Sequence, residues 1–172
     1  MQILFMFIMA LAILTYAIFG SQERSEEESR EAAATAAQMA VYHRAAIDKC
    51  TATACATGVV DPQAYVPKQI KDGSLWNRGT FVSNYDTASK TLLTYMRKGF
   101  ATRASVTYGT VAAAFRDLTV GETTTIGRWD EDKQRVQPSY AAGWHVTYDI
   151  PAGLRSSIPK DSPVIVNRVL AP

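Results

Sequence analysis

No side chain is charged before Glu23, and no Lys or Arg precedes Arg24. The basic leader that marks a typical secretory signal is therefore missing. A lipoprotein signal needs a cysteine at the end of its apolar stretch, whereas Cys50 and Cys55 are the only two cysteines. Histidine is just as scarce, which leaves His43 and His145 as the imidazole bases available for acid-base work. The chain contains no GxSxG elbow, phosphate-binding P-loop, dinucleotide GxGxxG, HExxH or CxxC motif, so the enzyme classes built on those motifs lose their sequence support. Internal repeats and a low-complexity tail are lacking too. The formal charge of +2 is small and uneven: residues 22–31 carry five Glu and two Arg, and the remainder is correspondingly basic. That excess reads as a solvated basic surface, with an acidic partner surface as the alternative, and falls short of a nucleic-acid signature.

What is present first is an uninterrupted apolar run, Ile3–Phe19 (ILFMFIMALAILTYAIF), in which only Thr15 and Tyr16 carry polar side-chain atoms. Extended by Gly20, it is about the minimum that spans a hydrocarbon core of ~30 Å as a helix. Met, Phe, Ile and Leu occupy every face of it, which suits lipid better than the core of a small domain. A cleaved signal would have to be cut after Gly20, with bulky Ile18 two residues before the cut. A prepilin leader would place its glycine ahead of the run. The expectation is a retained anchor. Acidic residues follow it rather than a basic cluster, so the C-terminal part is expected across the membrane, in the periplasm of a Gram-negative cell. Cys50 and Cys55, separated by Thr-Ala-Thr-Ala, suit one small disulfide in an oxidising compartment.

Residues 21–49 form the next unit. Neither Gly nor Pro interrupts them, and Glu, Arg, Ala, Gln and Met favour helix. Ala32, Ala36, Met39 and Tyr42 recur at helical spacing and mark a possible helix-packing interface, for a partner or a second copy. Met39, Tyr42 and Ile47 are expected to meet the domain. From Cys50 to Gly73 the chain is punctuated by Gly and Pro and reads as loop with one short strand. Thr80–Asp86 and Thr91–Met96 read as a hairpin, and Thr102–Leu118 as a helix with a stripe at Ala104, Tyr108, Val111, Phe115 and Leu118. Glu122–Trp129, Gln134–Pro138, Gly143–Ile150 and Pro163–Leu170 read as strands. The predicted class is α+β: an N-terminal transmembrane helix (1–20), an amphipathic helical stalk (21–49), and a single small antiparallel-sheet domain (50–172) with one further helix.

Candidate chemistry is sparse. Alternation on the strand 143–150 would place His145, Thr147 and Asp149 on one face, a grouping that many polar strands offer. His43 with Cys50 and Cys55 matches no common zinc spacing and lacks a fourth ligand. The turn Asp130-Glu131-Asp132 lacks the glycine and terminal glutamate of an EF-hand, so it reads as solvated. Arg97, Lys98 and Arg103, with Tyr95 and Phe100 among them, form the best basic-aromatic cluster, and three charges in a connection usually mean a solvated surface. Trp76, Trp129 and Trp144 are possible binding aromatics, with core packing as the alternative for each. No catalytic residue, metal ligand, cofactor or nucleic-acid partner is expected.

The charge-free start MQILFMFIMALAIL, the Glu- and Ala-rich helix after it, the Gly-Val-Val-Asp connection at Gly58–Asp61, and the Ile150–Val166 run with its Ile-Pro-Ala-Gly and Ile-Pro-Lys-Asp-Ser-Pro-Val-Ile-Val segments carry a resemblance. In layout the chain resembles the PilM proteins of plasmid thin-pilus, or type IVb pilus, systems. The resemblance implies a non-enzymatic accessory protein of the bacterial inner membrane that serves a conjugation or secretion apparatus by contacting other pilus proteins. It supplies no catalytic residues. It excludes the actin-like cytoplasmic ATPase that shares the name, whose phosphate loops are missing. A membrane-anchored or secreted extracytoplasmic binding module is the alternative reading.

Overall fold

The computed structural model describes residues 2–72, 79–99, 106–115, 124–138 and 148–169, with side chains from residue 25 onward. A single helix, α1, runs from Gln2 to Ala52. Buried Ala32, Ala36, Met39, His43, Ala46 and Cys50 recur on it at alternating steps of four and three residues, the spacing that keeps one face of a helix against a neighbour. Before Ala32 the described face is largely exposed, and Ser25, Glu26, Glu27, Ser29 and Arg30 stand in solvent. Ion pairs at i,i+4, Arg30 with Glu26 and Arg44 with Asp48, decorate the outer side and contribute little. At the C-terminal end the Thr51 and Thr53 hydroxyls donate to the carbonyls of Ile47 and Lys49, and the Lys49 carbonyl also receives the Thr53 N–H. The apolar run 3–19 lies on the first part of α1, where side chains fall outside the described set. Among the described residues no helix is long and apolar enough to cross a membrane.

Among the described residues, seven strands form one fully antiparallel sheet: β1 (Gly58–Val60), β2 (Phe81–Asp86), β3 (Thr91–Met96), β4 (Thr124–Asp130), β5 (Arg135–Pro138), β6 (Tyr148–Asp149) and β7 (Pro163–Arg168). Their spatial order is β1-β2-β3-β7-β4-β5-β6. The hairpin β2–β3 pairs Phe81 with Met96 and Asp86 with Thr91, and β4–β5 is a second local hairpin. The last strand, β7, inserts between them, pairing Ile165 with Thr94 on one side and with Ile126 on the other. Ser162, just ahead of β7, is fully buried; its hydroxyl receives the Met96 N–H, and its carbonyl receives the Trp129 N–H. It stitches both hairpins to the closing strand.

Both faces of the sheet are covered, which explains why β2, β3 and β7 are buried along nearly their whole length. On one face Phe81, Ile126 and Ile165 pack against Ala36 and Met39 of α1 and against Val106, Val111 and Phe115 in and around α3 (Tyr108–Ala114). On the other, Val82, Leu93, Tyr95, Trp129, Val136, Val164 and Val166 are covered by Ile150, Leu154 and Ile158. A third cluster, Ala46, Cys50, Val60, Tyr85, Leu92 and Val169, seals the end of α1 over the β1 edge.

Two expectations change. The helix expected from Thr102 starts at Tyr108, because Thr107 is extended at its N-cap: its hydroxyl accepts from Thr110 N, while Thr110's hydroxyl receives the Thr107 N–H. The domain also holds more than one further helix: a 3-10 turn at Gln63–Tyr65, α2 (Lys68–Lys71) and α4 (Ala152–Arg155) accompany α3. Pro67 and Pro151 sit at the N-caps of α2 and α4, so residues that punctuate a sequence as loop here begin single helical turns.

Candidate functional site

His43 is 2 % exposed, deep in the seam between α1 and the sheet. Its Nδ1 lies 2.8 Å from Thr94 Oγ1, which in turn lies 2.6 Å from Ser83 Oγ on the neighbouring strand. Thr94 and Ser83 are register partners, so one helix and two strands meet in this chain of polar atoms. Burial pushes the imidazole down to about 3, so the ring is neutral near pH 7. Although the trio combines a base with two hydroxyls, Ser83 and Thr94 are fully buried and no substrate reaches them. Its role is to join α1 to β2 and β3.

Cys50 and Cys55 are joined in a disulfide, with Cα atoms 5.0 Å apart, that closes the turn from α1 towards β1. Both sulfurs are thereby removed from any zinc set with His43, and His43 points into the core instead. Lys49 Nζ donates to the carbonyl of Asp61, and the Thr57 and Thr87 hydroxyls pair, so the β1 edge is held at both ends. Among the described residues no group of three His, Cys, Asp or Glu is placed to hold a metal ion. The Asp130 carboxylate is engaged by Lys133 N, Lys133 Nζ and Gln137 Nε2. These contacts, led by the backbone bond from Lys133, hold it below the ordinary aspartate range and tie it to its own turn.

The helix-packing candidates sit together, but inside the domain. Ala32, Ala36 and Met39 are buried, and Tyr42 is half-buried with its ring 5.8 Å from that of Phe81. Burial, assisted by the charge of Asp61, pushes the Tyr42 phenol up to about 12. Trp129 is 2 % exposed and belongs to the core beneath α4; Trp76 and Trp144 lie outside the described residues, as do His145 and Thr147. Arg97 and Lys98 are exposed, whereas Tyr95 points into the opposite core, so basic and aromatic groups do not alternate on one surface. Arg103 and Phe100 lie outside the described residues.

Two surfaces emerge that the sequence did not single out. The exposed large apolar side chains among the described residues are Val59, at 77 %, on β1, and Tyr65, in the 3-10 turn that follows it. A Val-Val pair in a strand places one residue in and one out, but only the sheet order shows that this strand is an edge. An open cleft of about 360 Å³ separates Glu28, Ser29 and Ala32 of α1 from Thr110, Ala113 and Ala114 of α3. Small side chains line it, so a backbone can approach closely. Neither surface brings an acid and a base together among the described residues.

Comparison with curated proteins and with solved structures returns no match. The family model PilM matches residues 6–166, nearly the whole chain, from the apolar start of α1 to the middle of β7. The chain belongs to the PilM family.

Proposed function

We propose that this protein is an inner-membrane accessory component of a thin, type IVb pilus apparatus, acting through protein–protein contacts rather than catalysis. The family match over residues 6–166 carries this reading. Two features support the finer statement. The helix that begins at Gln2 continues without a break into the domain seam, so the apolar run 3–19 and the folded domain share one rigid element. The Cys50–Cys55 disulfide suits an oxidising compartment, which supports a periplasmic domain. In this arrangement the run 3–19 is the single anchor, and the β1 edge and the α1–α3 cleft face other pilus proteins.

The test is genetic and topological. Deleting the gene should abolish thin-pilus assembly and pilus-dependent conjugation, and the full-length chain should restore both. A periplasm-dependent reporter fused after Pro172 should be active, whereas activity only of a cytoplasmic reporter would overturn the topology. Normal pili in the deletion strain would overturn the function.

A further inference from the structure

The buried face of α1 between Ala32 and Cys50 is made mostly of small side chains: Ala32, Thr35, Ala36, Ala45 and Ala46. Met39 and His43 are its two large buried residues. An imidazole therefore takes one of the two large positions in the middle of a mostly apolar seam. The hydrogen bond between His43 Nδ1 and Thr94 Oγ1 ties α1 to the sheet centre, and Nε2 has no partner among the described residues. Protonating the ring makes donors of both nitrogens and leaves Nε2–H, in a buried cation, without an acceptor.

From this geometry we infer that His43 is an acid-sensitive latch, whose protonation releases α1 from the sheet. The titratable and charged side chains on surrounding elements do not supply a counter-charge. On α1 they are Tyr42, Arg44, Asp48 and Lys49: Arg44 and Asp48 pair with each other towards solvent, Lys49 reaches the main chain of Asp61, and the Asp61 charge acts on Tyr42 and not on the imidazole. On β2 they are Tyr85 and Asp86, whose carboxylate is held by Ser89. Arg97 follows β3, Tyr108 opens α3, Arg128 of β4 pairs with Asp161, and Arg168 of β7 is exposed. Burial alone drives the imidazole towards its neutral form. The sign follows directly. The folded pKa is lowered beneath the ordinary value of about 6.5, so the seam is at full strength above that pH and weakens as pH falls towards the folded value. A rod that continues out of the domain would thus be uncoupled from it by acid, with the proton acting as the ligand that shifts the population.

Hydrogen exchange of the full-length chain, corrected for the intrinsic pH dependence of amide exchange, tests the latch. Between pH 7.5 and pH 5.0 the opening equilibrium of α1 amides from residue 36 to residue 50 should rise about 30-fold. His43→Gln, neutral at both pH values, should reduce that rise to less than about 3-fold, and His43→Met serves the same purpose if the glutamine variant does not fold. His145→Gln, a control for the other histidine, should leave the rise intact. Wild-type protection of α1 that is unchanged at pH 5.0 would overturn the latch without reference to any variant. So would a rise that persists in both His43 variants, or one that disappears with His145→Gln.

Discussion

Replacing Gly127 by alanine should break the register between β4 and β5. Gly127 pairs with Pro138 on one side and with Val164 on the other, and the main chain of β5 lies where its side chain would be. A Cβ added there would come within 1.9 Å of the Gln137 carbonyl oxygen, 2.6 Å of its carbon and 2.8 Å of Val136 Cγ1. Two of those atoms are backbone, so no rotamer change relieves the clash. β5 must move by roughly 1 Å or more, in an interior that packs without slack. That movement would separate Val136 from its register partner Trp129 and strain the bond from Gln137 to Asp130. The cost is placed at about 3 kcal/mol, the upper part of the usual overpacking range. With a urea slope of about 2 kcal/mol per molar, the midpoint should fall by about 1.5 M. Urea unfolding of the full-length chain followed by far-UV circular dichroism measures this. Gly153→Ala is the matched control: it lies in α4 with no atom within 4 Å of the added Cβ, and should be neutral or stabilising by up to about 1 kcal/mol. A Gly127→Ala midpoint within about 0.2 M of wild type would refute the close-approach argument.

Other predictions concern the elements that frame the helix seam. Met39→Ala should cost about 3 kcal/mol, because it empties one of the two large positions on the buried face of α1; the same urea titration checks it. Thr107→Ala removes the hydroxyl that accepts from Thr110 N and should cost about 1 kcal/mol, with faster exchange of the first amides of α3. Cys50→Ala with Cys55→Ala opens a very short covalent loop and should lower stability by about 2 kcal/mol, and reductant should then have no further effect on the midpoint. Alkaline pH should act through Tyr42: its folded pKa is raised above 10, so the unfolded chain ionises first and stability should fall as pH climbs from 10 towards 12. Tyr42→Phe should flatten that limb of the stability profile.

The local elements were legible because their signals are local. Phe81–Asp86 and Thr91–Met96 are β-branched and aromatic runs joined by a short polar turn, and they pair as one hairpin. The stretch 21–49 contains no breaker, and it is helical. The start of α3 carries a weak sequence signal, because the Thr107–Thr110 box uses threonine at the position where Glu or Gln gives the usual cue. Single helical turns such as α2 and α4 are too short for any periodicity to declare itself. Among site residues, the fates of Ala32, Ala36 and Met39 show the limit most clearly. Their spacing establishes one face, but a partner helix and the chain's own sheet satisfy that pattern equally well.

By itself, the sequence determined the α+β class, the continuous helix leading into the domain, the closeness of the two cysteines, and the membership that the PilM match later established. Each depends on composition or on neighbours along the chain. Only the tertiary structure decided that the last strand closes the centre of the sheet, that Trp129 is core, that Val59 stands on an open edge, and that His43 lies sealed against Thr94. These outcomes depend on contacts between residues far apart in sequence, Thr94 with Ile165 and His43 with Thr94 among them. No window along the chain contains both partners, so only the folded packing brings them together.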